Sequence, residues 1–220
     1  MRTSVKLCFT ALTAALLLAS AIATTSARNL SISNQQFRVT WQELEFGSEI
    51  VTVTCHVTLE GSFHYRTIVK RERELIGHIT RVDVRRPCIN GEAWAANGRE
   101  SHPRLGVLAN TLPWHITYEG FIGTLPNITE LRLLLRGARF KIHSFFNTLG
   151  LYGDANDNIT GRANRVGTVI TTLEPVAGRN TARLVNCLGG ICPARGTFTN
   201  GRPGNVTLLN TTTRITVTLI

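Results

Sequence analysis

Val51-Thr52-Val53-Thr54-Cys55-His56-Val57-Thr58-Leu59-Glu60 alternates without a break. Val51, Val53, Cys55, Val57 and Leu59 share one parity, and Thr52, Thr54, His56, Thr58 and Glu60 the other. A strand sends successive side chains to opposite faces, so this pattern predicts a half-buried strand with a polar outer face. Glu60-Gly61-Ser62 then supplies turn chemistry. Phe63, Tyr65, Thr67 and Val69 resume the alternation, Arg71 to Glu74 make the next turn, and Ile76 to Val84 a third strand. The segment reads as a meander with strands over 50–59, 63–70 and 75–85.

The same reading extends outward. Strands are predicted over 29–33, 37–46, 113–122, 128–135, 138–143, 166–173, 182–187, 195–200, 204–209 and 212–220. In 113–122, Trp114, Ile116, Tyr118 and Ile122 share a face. In 128–135, Leu131, Leu133 and Leu135 oppose Glu130, Arg132, Leu134 and Arg136, and Gly137 breaks the phase as a bulge would. Helical period is nearly absent past residue 27, with short candidates only around 91–96 and 144–150. The chain is therefore expected to be all-β, an antiparallel β-sandwich or barrel of about 10–12 short strands forming a single domain over 28–220. Two long loops are expected at 89–112 and 144–165, where binding often resides.

The N-terminus carries Arg2 and Lys6, then an apolar run from Leu7 to Ala23, then the small residues of Ala21-Ile22-Ala23 and Thr25-Ser26-Ala27. These are the three regions of a secretory signal peptide over 1–27, with cleavage after Ala23 or Ala27. The run has 17 residues, short of the roughly 20 that span a bilayer. No membrane span is expected after cleavage, and the product is expected to be secreted or at the cell surface. Cys8 leaves with the leader. Cys55, Cys88, Cys187 and Cys192 remain, and an even count in an exported chain implies two disulfides. Of the three connectivities, Cys55–Cys88 and Cys187–Cys192 pair neighbours in sequence. The spacing lacks the CxxC pairs of a zinc site.

No catalytic motif assembles. There is no GxSxG, and the six histidines, His56, His64, His78, His102, His115 and His143, form neither HxH nor HxxxH. Asp154, Asn156 and Asn158 alternate like the first ligands of a calcium loop, but Ile159 stands where that loop needs Gly and Arg165 where it needs Glu. Glu43 and Glu45 lie two apart on one predicted strand face, the best carboxylate pair for a glycosidase-like hydrolase; Glu72 and Glu74 fall in a turn. No catalytic, metal or cofactor residue is assigned, and no cofactor is expected.

Net charge is +10, and +8 once Arg2 and Lys6 are removed with the leader. Two basic stripes are possible: Arg132, Arg136, Arg139 and Lys141, and Lys70, Arg71, Arg73, Arg81, Arg85 and Arg86. Either suits an anionic polymer or a cell-surface component, although the interleaved aromatics that stack nucleic-acid bases are missing. The function expected is an exported, non-enzymatic β-domain with a structural or binding role. The alternatives are a hydrolase with a dispersed carboxylate site and a polyanion-binding module.

Several segments resemble a group of secreted, uncharacterised β-rich proteins of high-GC actinobacteria. They are Ser31-Ile32-Ser33-Asn34, Cys55 to Phe63, Thr111 to Tyr118, Gly123 to Thr129, and the ending Asn210 to Ile220. The order Cys, Gly-aromatic, Cys, Leu-Pro-Trp also resembles bacterial surface proteins linked to alkane oxidation and biofilms. The resemblance implies export and a β-rich fold, and brings no catalytic residue with it.

Overall fold

The computed structural model describes residues 29–48, 50–99, 101–102, 106–107, 109–124, 127–145 and 149–220. The leader expected over 1–27 lies outside the described residues. These residues form eighteen strands, and among them no helix is long and apolar enough to cross a membrane. The strands are β1 (Asn29–Ile32), β2 (Gln36–Gly47), β3 (Thr52–Phe63), β4 (Thr67–Val69), β5 (Leu75–Ile89) and β6 (Gly91–Ala95). Then come β7 (Ser101–His102), β8 (Gly106–Val107), β9 (Trp114–Thr124), β10 (Asn127–Arg136), β11 (Phe140–Ser144) and β12 (Leu149–Tyr152). The last six are β13 (Asn158–Val166), β14 (Val169–Pro175), β15 (Thr181–Gly189), β16 (Arg195–Asn200), β17 (Gly204–Leu208) and β18 (Val217–Leu219).

Eight of them close a barrel in the order β2, β3, β5, β9, β10, β13, β14, β17 and back to β2. Every neighbour is antiparallel and follows in chain order, so this is an up-and-down barrel; of the two architectures the alternation allows, the closed one forms. Closure removes the exposed edges an open sheet would carry. At the seam, Trp41 Nε1 donates to the Leu173 carbonyl at 3.1 Å. Gly204 lies against the same indole: a Cβ there would meet Trp41 Cε2 at 2.5 Å, so only glycine lets β17 approach this closely.

β2 is long enough to serve two partners. Its first half pairs β17 and its second half pairs β16. From β16 the sheet continues through β15, β12 and β11 to β6. Phe46, Trp114, Phe140 and Phe198 pack where this extension meets the barrel, with ring centroids 5.0–5.6 Å apart, contacts worth about 0.5–1.5 kcal/mol each beyond burial. A small sheet, β18-β1-β4, adds Leu30, Ile32, Ile68 and Val217 to the same core.

Several boundaries differ from expectation for local reasons. The segments 89–112 and 144–165, expected as loops, carry β6, β7, β8, β12 and most of β13. The helix candidates at 91–96 and 144–150 contain β6 and the first residues of β12; residues 146–148 lie outside the described set. The strand expected over 63–70 is not the middle of a meander. Phe63 ends β3, only Thr67–Val69 forms a strand of its own, β4, which pairs β1 instead, and β3 pairs β5 directly. That adjacency lets Cys55 bond Cys88, with Cα atoms 4.6 Å apart, at an irregular register between Thr54↔Ile89 and His56↔Arg85. Pro87, which lacks an N–H, sits inside that irregularity. Cys187 bonds Cys192. Disulfides persist in oxidising compartments, and the two bridges are consistent with such an environment.

Candidate functional site

The outer face of β5, β9, β10 and β13 carries two transverse rows of side chains. Leu75, Thr117, Leu134 and Thr160 are cross-strand partners in one row. His78, His115, Arg136 and Asn158 are partners in the next. Two chain segments rise on either side. The 71–74 turn is held against β9 by the Arg73 N–H donating to the Tyr118 carbonyl at 2.7 Å, and by the Tyr118 N–H donating to the Glu74 carbonyl at 2.9 Å. The 176–180 segment is held against β13 by Thr160 and Arg179 (2.8 Å) and by Val176 and Thr160 (2.8 Å). Buried Asn180 ties it further, its amide donating to the Phe198 carbonyl.

Between these walls runs a groove made of two adjoining depressions of about 410 and 510 Å3, which share Arg73, Thr117 and Arg136. Four guanidiniums, those of Arg73, Arg136, Arg139 and Arg179, line it against the carboxylates of Glu72 and Glu119. Arg179 pairs Glu119, Arg73 lies 4.0 Å from Glu72, and Arg139 donates to the Gly153 carbonyl at 2.9 Å. The Arg136 guanidinium has no partner among the described residues.

Two groups in the groove are buried and unsatisfied. Thr117 is 4% exposed, and its hydroxyl has no hydrogen-bond partner. The Glu119 side chain is 10% exposed, and its Oε2 is also without one. A buried polar atom left unmatched costs about 1–3 kcal/mol, and these two line the groove, where a bound molecule can meet them. Glu119 shares the outward parity of His115 and Thr117, and a bulge begins at it: Arg132 pairs Gly120 and Leu133 pairs Tyr118, leaving Glu119 as the extra residue.

No protein-family model, curated protein or solved structure matches this chain. The site therefore has to be read from its own chemistry.

The structure sorts the residues singled out on sequence. Arg73, Arg136 and Arg139 come together in the groove although the sequence divides them between separate stripes. Lys141 does not join them. It is fully buried, its Nζ 5.4 Å from the Trp94 ring centroid, so it forms no part of a surface stripe. Arg81 reaches Glu60, Arg71 pairs Glu74 and Arg86 lies over Trp94. Glu43 and Glu45 share the outer face of β2 but flank the Gly201 turn, where Thr199 donates to Glu45 at 2.7 Å; neither lines the groove.

Asp154 to Asn158 form a turn. Asp157 Oδ2 accepts from the Asp154 N–H at 3.0 Å and from the Arg183 N–H at 2.8 Å, and its Oδ1 lies 3.6 Å from the Arg183 guanidinium, which engages both oxygens. Among the described residues no group of three or more His, Cys, Asp or Glu could hold a metal ion. His64 and His78 nonetheless meet, Nε2 to Nδ1 at 3.5 Å, with His115 next in the row. Burial, then the neighbouring His64 and His115, push the His78 pKa down. The side chain of His102 lies outside the described residues.

Thr117, Glu119 and Arg179 carry no sequence signal of their own. Gly120, inside a strand pattern, was the available one, because a glycine there often marks a bulge. The bulge shifts the phase, so Phe121 packs against the core and Ile122, expected inside, is 37% exposed.

Proposed function

We propose that this chain is an exported, non-enzymatic binding protein of the cell surface or medium, and that its groove holds a hydroxyl-bearing anion such as a segment of an acidic polysaccharide. The unpartnered Arg136 guanidinium, beside the buried hydroxyl of Thr117 and carboxylate oxygen of Glu119, carries this reading. The guanidinium matches a carboxylate through paired donors. The Glu119 oxygen accepts from a sugar hydroxyl, and the Thr117 hydroxyl both donates and accepts. The groove is long, open and net positive, which suits one stretch of a polymer. The surplus of basic residues over the chain adds long-range attraction to a polyanion, and the disulfides fit an exported product.

The test is retention of the oxidised protein on immobilised polygalacturonate over a salt gradient. Wild-type protein elutes late and Arg136→Gln early. Arg195→Gln removes the same charge from β16, outside the groove, and elutes with wild type. Equal loss in both variants would reduce the effect to bulk charge and overturn the assignment.

A further inference from the structure

The barrel also carries an apolar pocket on its inner side, across the same strands from the groove. It has a volume of about 110 Å3, and all eight barrel strands contribute to its wall. The lining is apolar almost throughout, with Phe37, Trp41, Leu59, Leu133 and Ile170 prominent in it. Eight-stranded barrels have interiors that side chains just fill, or that hold one small ligand. Here β13 decides between the two. Its inward positions opposite Leu133 and Leu131 are Gly161 and Ala163, small residues where the neighbouring strands present Leu, Ile and Phe. The Leu173 side chain reaches over Gly161, and the pocket lies beside these two residues.

A cavity with this lining does not suit water, which needs two to four polar partners. Apolar cavities of about 150 Å3 stay dry and take up benzene. We propose that the barrel interior is a binding site for a small neutral apolar molecule, a single aromatic ring or a short branched alkyl group. The proposal does not depend on the groove reading.

The test is a thermal-shift titration with benzene, toluene and indole, with benzoate as the charged counterpart. The neutral rings raise the melting temperature in proportion to the logarithm of their concentration, and benzoate does not. Ala163→Leu fills the site and weakens the response by about tenfold or more in concentration, while retention on polygalacturonate is unchanged. Absence of any shift with neutral rings up to their solubility would overturn the proposal. So would an undiminished shift in folded Ala163→Leu. Should that variant not fold, methyl NMR of the wild type decides. Benzene shifts the signals of Leu59, Leu133 and Ile170 if it enters the barrel. It shifts only exposed methyls, such as those of Ile89 and Ile191, if the proposal is wrong.

Discussion

Replacing Lys141 by Met should stabilise the protein at neutral pH. Lys141 lies on β11 between Trp94 of β6 and Leu151 of β12, fully buried and without a hydrogen bond to its Nζ. Burial pulls its pKa from 10.5 down to about 8. At about 1.36 kcal/mol per decade of acidity, keeping that ammonium charged costs the fold about 3 kcal/mol at pH 7. The Trp94 ring face returns about 0.5–2 kcal/mol of this. Met matches the stem of Lys and carries no charge, so the net gain is about 1–3 kcal/mol, or about 2–10 °C in melting temperature for a chain of this size.

The pH dependence separates this from simple repacking. The folded pKa lies below the unfolded one, so the unfolded chain binds more protons between them, and stability rises with pH through that window. Below about pH 8 both states are charged and the full penalty applies. Above pH 10, Tyr118, pushed up to about 12 by burial, and Tyr152, also raised, act the other way. The interval to read is therefore pH 8 to 10. Guanidinium denaturation of the oxidised protein should show stability rising there for wild type and flat for Lys141→Met. A variant less stable at pH 7, with the rise intact, would show that the buried Lys141 charge is not what costs the fold.

Two further outcomes follow from the outer face. His78 is held below its ordinary pKa of 6.5 by burial and by His64 and His115, so stability should fall as pH drops below 6.5. The slope of melting temperature against pH from 7 to 5 should be shallower for His78→Gln than for wild type. Thr117→Val should raise stability by about 1 kcal/mol, because it removes a buried hydroxyl that has no partner, and should weaken retention on polygalacturonate. Denaturant titration and the salt gradient read the two effects separately, and a loss of stability with unchanged retention would contradict both parts.

The strands were legible wherever one face is apolar and the other wet. Val51 to Glu60 alternates because Val53, Cys55, Val57 and Leu59 face the core while their neighbours face out, and Leu131 to Arg136 alternates for the same reason. Sequence separation favoured Cys55–Cys88 and Cys187–Cys192, but only the direct pairing of β3 with β5 explains how the first bridge closes. What was hidden depends on neighbours far along the chain. β11 is buried on both faces, so Lys141 reads as a surface residue on its own strand and becomes a core residue only when β6 and β12 flank it. β6 follows β5 after only Asn90, whose positive φ of 61° turns the chain sharply, and a five-residue strand that short leaves little period to detect. The groove was least visible. Arg179 comes from a loop sixty residues beyond Glu119. Sequence alternation puts His115, Thr117 and Glu119 on one face of β9, but it does not report which distant segments rise beside that face.

The measurement that bears most directly on the groove is the slope of log affinity against log salt for an acidic oligosaccharide, compared among wild type, Arg136→Gln and Arg195→Gln. Removing one ion pair with the polymer lowers the slope by about one. If Arg136 contacts the polymer, the slope for Arg136→Gln is lower by about one, with Arg195→Gln indistinguishable from wild type. Identical slopes in all three proteins would contradict it.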